Sequence, residues 1–357
     1  MAAQQGVIAS LCAIFLFTAV AHGASVEPLN TDGLIAAVVT PMTADGLSMN
    51  LSVVPQQAAY LQKTGVSRAY IAGTTGESLS LTTTERMKLV EEWEKVAGDY
   101  GIDYLVHIGA ESITDVMTLA SHAQDHGSIA VGVMPSVFFK PATVENLGAW
   151  MELACGAASK IPCYYYHIPS MTGVEFDMLP VLGEMDTRGI SNFAGVKYTG
   201  LYETRAFPDL MRCQAYGGGK YDMMSGREEL MVESMALGVT GFIGSQFNYG
   251  GDIYGEIFRE EELDVRNQKQ LAAIELLMVW IDGVPAGVDG TKLMSNLAGI
   301  PVGPARLPSL PPSDDDTKAL KDSVQNWCAT YAKLFDSDIA ICAAVGNAER
   351  SADPKRA

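Results

Sequence analysis

The chain has 357 residues, 48% of them hydrophobic, and a formal net charge of −18 from 42 acidic against 24 basic side chains. That length suits one large domain with extensions, or two small ones, and the apolar content is enough for a sizeable core. So acidic a surface repels phosphate backbones, and no nucleic-acid partner is expected.

Residues 7–20 (VIASLCAIFLFTAV) form an apolar run too short to span a bilayer comfortably. Ala21-His22-Gly23 follows, with small residues where a signal peptidase inspects the chain. The expectation is a cleaved signal peptide over residues 1–23, a secreted or secretory-lumen protein, and no stable membrane span afterwards. An uncleaved anchor, a buried helix and a cytoplasmic location are the alternatives. Asn50-Leu51-Ser52 is an N-glycosylation acceptor triplet that matters only if the leader is real.

From there the chain alternates. Ile35-Ala36-Ala37-Val38-Val39 ends at Thr40-Pro41, and Ala69-Tyr70-Ile71-Ala72 ends at Gly73-Thr74-Thr75-Gly76-Glu77. Thr82-Thr83-Thr84-Glu85 is a capping box opening a helix with Leu89, Val90, Trp93, Val96 and Ala97 on one face. Tyr104-Leu105-Val106-His107-Ile108 precedes a second amphipathic stretch bearing Ile113, Val116, Leu119, Ala120 and Ala123. Further apolar runs cover residues 130–134, 163–168, 193–197, 221–225 and 241–244. Most steps are roughly 30 residues, the length of one strand, one helix and two loops. Eight such runs predict an α/β fold, a (β/α)₈ TIM barrel over residues 33–250.

Beyond it, residues 251–336 favour helix and form a C-terminal helical extension. A Pro/Gly-rich connector spans 298–308, and Ser313-Asp314-Asp315-Asp316 caps a helix, the acidic run complementing its dipole. Residues 337–357 read as a loose tail. Without the leader and its Cys12, five cysteines remain, and Cys155, Cys163, Cys213, Cys328 and Cys342 show no CxxC pair and no metal-ligand spacing. Most are expected to be small buried hydrophobes, and the odd count leaves at least one thiol unpaired within the chain.

In a barrel, functional groups project from the C-terminal strand ends. Here those positions hold Thr74, Thr75, Tyr166, Lys197, Thr199, Glu228, Glu229 and Ser245. Taken singly, each has an ordinary structural explanation. A lysine after a strand is commonly solvated, a tyrosine is commonly core, and paired glutamates commonly open a helix. Together they suggest more. An amine at the mouth of an apolar strand loses hydration, which favours its neutral form. A neutral amine condenses with a ketone to a Schiff base, and a phenol on the neighbouring strand could relay the protons. His167, beside Tyr166, alternates to the opposite strand face and is expected to be structural.

Gly73-Thr74-Thr75-Gly76-Glu77, the Tyr166-His167-Ile168-Pro169-Ser170-Met171-Thr172-Gly173 run, Gly195-Val196-Lys197 and Gly244-Ser245 resemble the N-acetylneuraminate lyase and dihydrodipicolinate synthase superfamily of class I pyruvate aldolases. Residues 283–308 resemble the animal N-acetylneuraminate lyases especially. The resemblance implies a carbon–carbon lyase with Lys197 as the Schiff-base residue and Tyr166 as the proton relay. It implies that Thr74 and Thr75 hold the pyruvoyl carboxylate, and that Thr199, Gly226, Glu228, Glu229 and Ser245 line the substrate site. It also implies a keto-sugar-acid substrate, a homotetramer, and no metal or organic cofactor for the chemistry. Met171 stands where the synthase branch carries an arginine for a second carboxylate, which favours a neutral polyol chain. Two departures remain: relatives usually carry aspartate at Glu228, and many bacterial relatives carry tyrosine at Phe138. The alternatives are an aldolase for another 2-keto-3-deoxy sugar acid and a secreted, non-catalytic sialic-acid-binding homologue.

Overall fold

A computed structural model describes Val26 and residues 29–200, 206–281 and 287–351. The expected leader and its cleavage site lie outside the described residues. Eight parallel strands close into a barrel in sequence order: β1 (Gly33–Ala37), β2 (Arg68–Ile71), β3 (Asp103–His107), β4 (Ala130–Val133), β5 (Cys163–His167), β6 (Phe193–Tyr198), β7 (Asp222–Ser225) and β8 (Gly241–Gly244), with β1 pairing to both β2 and β8. Around it run α1 (Val54–Lys63), α2 (Thr83–Ala97), α3 (Ile113–Asp125), α4 (Val144–Gly156), α5 (Pro169–Thr172), α6 (Met178–Arg188), α7 (Ala206–Ala215), α8 (Met231–Ala236) and α9 (Phe247–Arg259). Four more helices follow: α10 (Leu263–Ile281), α11 (Val288–Leu297), α12 (Asp314–Tyr331) and α13 (Ala340–Ser351). The expected (β/α)₈ barrel with a helical extension is therefore what the sequence forms.

The strands read as continuous apolar runs because both faces are covered. One face fills the barrel with Ile35, Tyr70, Leu105, Tyr164, Tyr166, Ala194, Met224 and Ile243. The other packs on the helices through Ile71, Val106, Tyr165, Phe193, Val196 and Tyr198. Both expected helix caps form, each as a capping box. Thr82 Oγ1 accepts the Glu85 N–H at 3.2 Å, and Ser313 Oγ accepts the Asp316 N–H at 3.1 Å.

The β5–β6 ladder carries an irregularity that decides the site. Cys163 pairs with Phe193 but Tyr164 pairs with Gly195, so β6 spends one extra residue there. Phe193 faces the helices and Ala194 the barrel, yet Val196 again faces the helices. A Cβ on Gly195 would lie 1.8 Å from the Asp222 carbonyl oxygen, so only glycine fits.

Two expectations need correction. The segment read as a loose tail contains α13, whose Ile341 and Val345 are buried. Its N-terminus is capped from α9: Asp252 Oδ2 accepts the Ala340 N–H at 2.6 Å, and Glu256 accepts the Asp336 and Ser337 N–H groups at 2.9 Å each. Such a cap comes from residues far away in the chain, so local sequence does not announce it. The cysteines are not mainly unpaired hydrophobes either. Cys155 bonds Cys163, tying the end of α4 to the start of β5, and Cys328 bonds Cys342, tying α12 to α13. Among the described residues Cys213 is the buried free thiol, and burial pushes its pKa up to about 12.

Candidate active site

The extra residue in β6 sets the geometry. Beyond it Tyr166 and Lys197 stand opposite each other in register, both directed into the barrel mouth. Lys197 is only 5% exposed. Its Nζ lies 4.1 Å from the Tyr166 ring centroid and 4.7 Å from that of Tyr70. An amine boxed by aromatic rings has few water partners, and its side chain is held in one place.

Tyr166 Oη lies 3.2 Å from Thr74 Oγ1, which joins β5 to the turn after β2. That turn is unusual. Ala72 and Glu77 both have left-handed backbone, at φ 54 and 58. Several contacts hold it there. Thr40 Oγ1 donates to the Gly76 carbonyl at 2.7 Å. The buried Glu77 carboxylate meets Lys292 Nζ of α11 at 2.5 Å and accepts the Arg306 N–H at 2.6 Å. The connector before α12 and the helix before it thus clamp the Thr74-Thr75-Gly76 turn from outside the barrel. Thr75 is half-buried beside Thr74.

Beneath Lys197 sit two residues that sequence reasoning did not single out. Tyr70 packs edge-on to Tyr166, and His107 packs edge-on to both. His107 Nδ1 lies 3.0 Å from the Ala72 carbonyl oxygen. A carbonyl can only accept, so Nδ1 carries the proton and Nε2, buried without a hydrogen-bond partner, presents its lone pair. Burial, with the nearby Arg86 guanidinium, keeps this imidazole well below its usual pKa and therefore neutral. Burial and the neighbouring Tyr166 push the Tyr70 phenol well up. The signal for both was present: each is an inward position of a strand already assigned.

On the other side of Lys197, Gly226 is tightly packed: a Cβ there would stand 2.2 Å from Thr199 Cγ2 and 3.1 Å from Lys197 Cε, so a side chain enters only if these atoms move. Thr199 Oγ1 donates to the His167 carbonyl at 2.6 Å, fastening β6 to β5 just past the lysine. Two residues after Gly226, Glu228 is buried, and its Oε1 accepts from Ser245 Oγ at 3.0 Å and from the Gln246 N–H at 2.9 Å. Burial, and then the charge of Glu229, raise its pKa. Glu229 lies 3.5 Å from Arg227 Nη1. His167 faces the helix layer, stacks on Tyr198, and is pushed down to about 4 by burial, as a structural histidine would be. Asn50 sits in the loop between β1 and α1, where its Oδ1 accepts from Ser52 Oγ at 2.7 Å.

A cleft of about 260 Å³ opens beside Thr74, lined also by Met134, Val137, Met171 and Arg306. Met171 and Phe138 are both exposed there or nearby, at 63% and 78%. Among the described residues, no helix is long and apolar enough to cross a membrane.

The arrangement therefore combines a desolvated amine, a phenol, a hydroxyl turn and a buried carboxylate around one mouth, which suits covalent carbonyl chemistry. Comparisons with known proteins agree. N-acetylneuraminate lyase A of Xenopus laevis is 34% identical over 280 residues, 77% of this chain and 90% of that protein. N-acetylneuraminate lyase of Gallus gallus is 35% identical over 291 residues, 80% of this chain and 92% of that protein. The solved structure of Proteus mirabilis N-acetylneuraminate lyase superposes with a TM-score of 0.78 at 32% identity, covering 85% of this chain and 100% of that one. The model of the dihydrodipicolinate synthetase family matches residues 30–327, and the chain belongs to that family.

Proposed function

We propose that the protein is a Schiff-base aldolase that cleaves N-acetylneuraminate to N-acetylmannosamine and pyruvate. The observation that carries this reading is the register of β5 against β6, with Lys197 Nζ 4.1 Å from the Tyr166 ring and the Tyr166 hydroxyl 3.2 Å from Thr74. The animal relatives at 34% and 35% identity support the substrate.

In the proposed reaction, the Lys197 amine attacks C2 of the open-chain keto acid and expels its oxygen as water, leaving a protonated imine. Thr74 and Thr75 hold the carboxylate. Tyr166 takes the proton of the C4 hydroxyl, relayed through that carboxylate, and the C3–C4 bonding pair flows into the imine. N-acetylmannosamine leaves as the aldehyde. The enamine takes a proton at C3, and water releases pyruvate and the free lysine. Gly226, Glu228, Glu229 and Ser245 bind the polyol chain, with Glu228 oriented by Ser245 and the Gln246 N–H. Thr199 acts by keeping the end of β6 in place.

The test is pyruvate release from N-acetylneuraminate. Lys197→Ala is expected to abolish it, and borohydride with pyruvate is expected to add one reduced pyruvate mass to the Lys197 peptide of the wild type only. Equal turnover by the variant sinks the mechanism.

We further infer passage through an oxidising secretory compartment, supported by the leader-like residues 7–20 and two disulfides. Asn50 is then a glycosylation site. A homotetramer is supported by the family resemblance and by the exposed Phe138–Phe139 pair, which a neighbouring subunit would cover.

A further inference from the structure

At the opposite end of the barrel from Lys197, four side chains on two neighbouring helices form a cluster that the aldolase reading does not use. His122 and His126 lie four residues apart on and just beyond the last turn of α3. At that spacing, side chains project from one helix face. Across from them, Glu91 and Glu94 stand three apart on the same face of α2. His122 Nε2 is 3.2 Å from Glu91 Oε1, and His126 Nδ1 is 2.7 Å from Glu94 Oε2. Ligand atoms of Glu91, His122 and His126 all lie within 4.8 Å of one another. The two imidazoles stack with centroids 4.1 Å apart. Tyr104 donates to the His126 carbonyl and so fixes that backbone. The side chain of His122 is 9% exposed and that of His126 33%, so the rings are held in place while a cation can still reach them from solvent.

We propose that His122, His126 and Glu91, with Glu94 as a fourth donor, bind one borderline divalent cation of the Zn²⁺ class. Two imidazoles with carboxylates are a zinc donor set, and a tetrahedral ion with bonds of about 2.1 Å spreads its donors about 3.4 Å apart. The present donor atoms of Glu91, His122 and His126, all within 4.8 Å of one another, stand within about 1.4 Å of that spacing. Nitrogen donors favour Zn²⁺, Cu²⁺ or Ni²⁺ over Mg²⁺ or Ca²⁺, which select all-oxygen sites. Two carboxylates neutralise the double positive charge. Each ring that now gives its N–H to a glutamate presents a lone pair by moving its proton to the other nitrogen. The bound ion would pin α2 to α3 as an external clip. It lies where α3 returns to the start of β4, remote from the C-terminal strand ends that carry the lysine, so it takes no part in the carbonyl chemistry.

The experiment uses the chelator-stripped full chain and Zn²⁺ in equilibrium dialysis. Wild type is expected to take up one Zn²⁺ per chain and to unfold at a higher temperature when loaded. The His122→Gln/His126→Gln pair, whose amides still hydrogen-bond the glutamates, is expected to lose at least about 100-fold in affinity with pyruvate release unchanged. Zinc-edge absorption of the loaded wild type, which needs no variant, is expected to report two imidazole nitrogens at about 2.0 Å. No uptake at about 100 µM free Zn²⁺, equal affinity in the double variant, or an all-oxygen shell each overturns the proposal. Because pyruvate release is read separately, failure here leaves the aldolase reading standing, and the reverse also holds.

Discussion

Replacing Gly226 by alanine tests whether the lysine is positioned by close packing from β7. The new methyl would sit 2.2 Å from Thr199 Cγ2 and 3.1 Å from Lys197 Cε. Carbon atoms prefer separations of about 3.5–4.0 Å, so the threonine methyl must recede by more than about 1.3 Å. Thr199 cannot retreat alone, because its hydroxyl is bonded to the His167 carbonyl. The strain passes to the end of β6 and hence to the lysine. A shift of about 1 Å at a reacting group costs about 100-fold in rate, equivalent to about 2.7 kcal/mol. The overpacking itself costs about 1–3 kcal/mol of stability, too little to unfold a barrel of this size. The assay is pyruvate release, with kcat and KM measured separately and folding checked by circular dichroism. Thr199→Ser removes the colliding methyl but keeps the hydroxyl. The double variant is therefore expected to recover at least about tenfold over Gly226→Ala, a coupling of about 1.4 kcal/mol. Activity of Gly226→Ala within threefold of wild type, or no recovery in the double variant, would show that the contact does not position the amine.

Glu228→Gln should change stability in a pH-dependent way. Burial and Glu229 raise the folded pKa of Glu228, so its favourable contribution is complete below the unfolded value of about 4.3 and is lost as pH rises through the folded value. The glutamine, which keeps the acceptor for Ser245 and the Gln246 N–H, should melt higher than wild type at neutral pH and equally below about pH 4. A variant that melts lower at neutral pH contradicts the assignment. The Cys328→Ser/Cys342→Ser pair removes a bond between residues 14 positions apart, worth about 3 kcal/mol at that loop length. Limited proteolysis should then clip the chain near α13 while pyruvate release persists; unchanged resistance would mean that the apolar face of α13 suffices to hold it.

Much of the molecule is legible in its sequence, for identifiable reasons. Strands covered on both faces must be apolar throughout, so Ile71, Val106 and Val131 mark the barrel without any alternation to decode. Tyr166 and Lys197 stand out because a polar group closing an apolar strand must be accommodated by something. What escapes is whatever depends on distant partners. The helix α13 owes its cap to Asp252 and Glu256, and the pairing of Cys155 with Cys163 depends on where α4 ends relative to β5. Tyr70 and His107 look like ordinary strand residues until the barrel closes and turns them toward the lysine. His122 and His126 do show a chelating interval, but it means little until α2 supplies Glu91 alongside.

The surplus residue beside Gly195 makes the length of one strand a chemical specification. Side chains along a strand alternate sides, so strict alternation over the five residues from Phe193 to Lys197 would set both on the helix side. Two steps of β6 answer one step of β5 there, so the phase slips by one and the amine turns inward. One residue inserted between Gly195 and Lys197 without a second slip would return that nitrogen to the oily seam beside the helices. Every other catalytic group would stay in place, and the mouth would have no nucleophile. For this chain, counting residues in β6 therefore says as much about aldolase competence as identifying them.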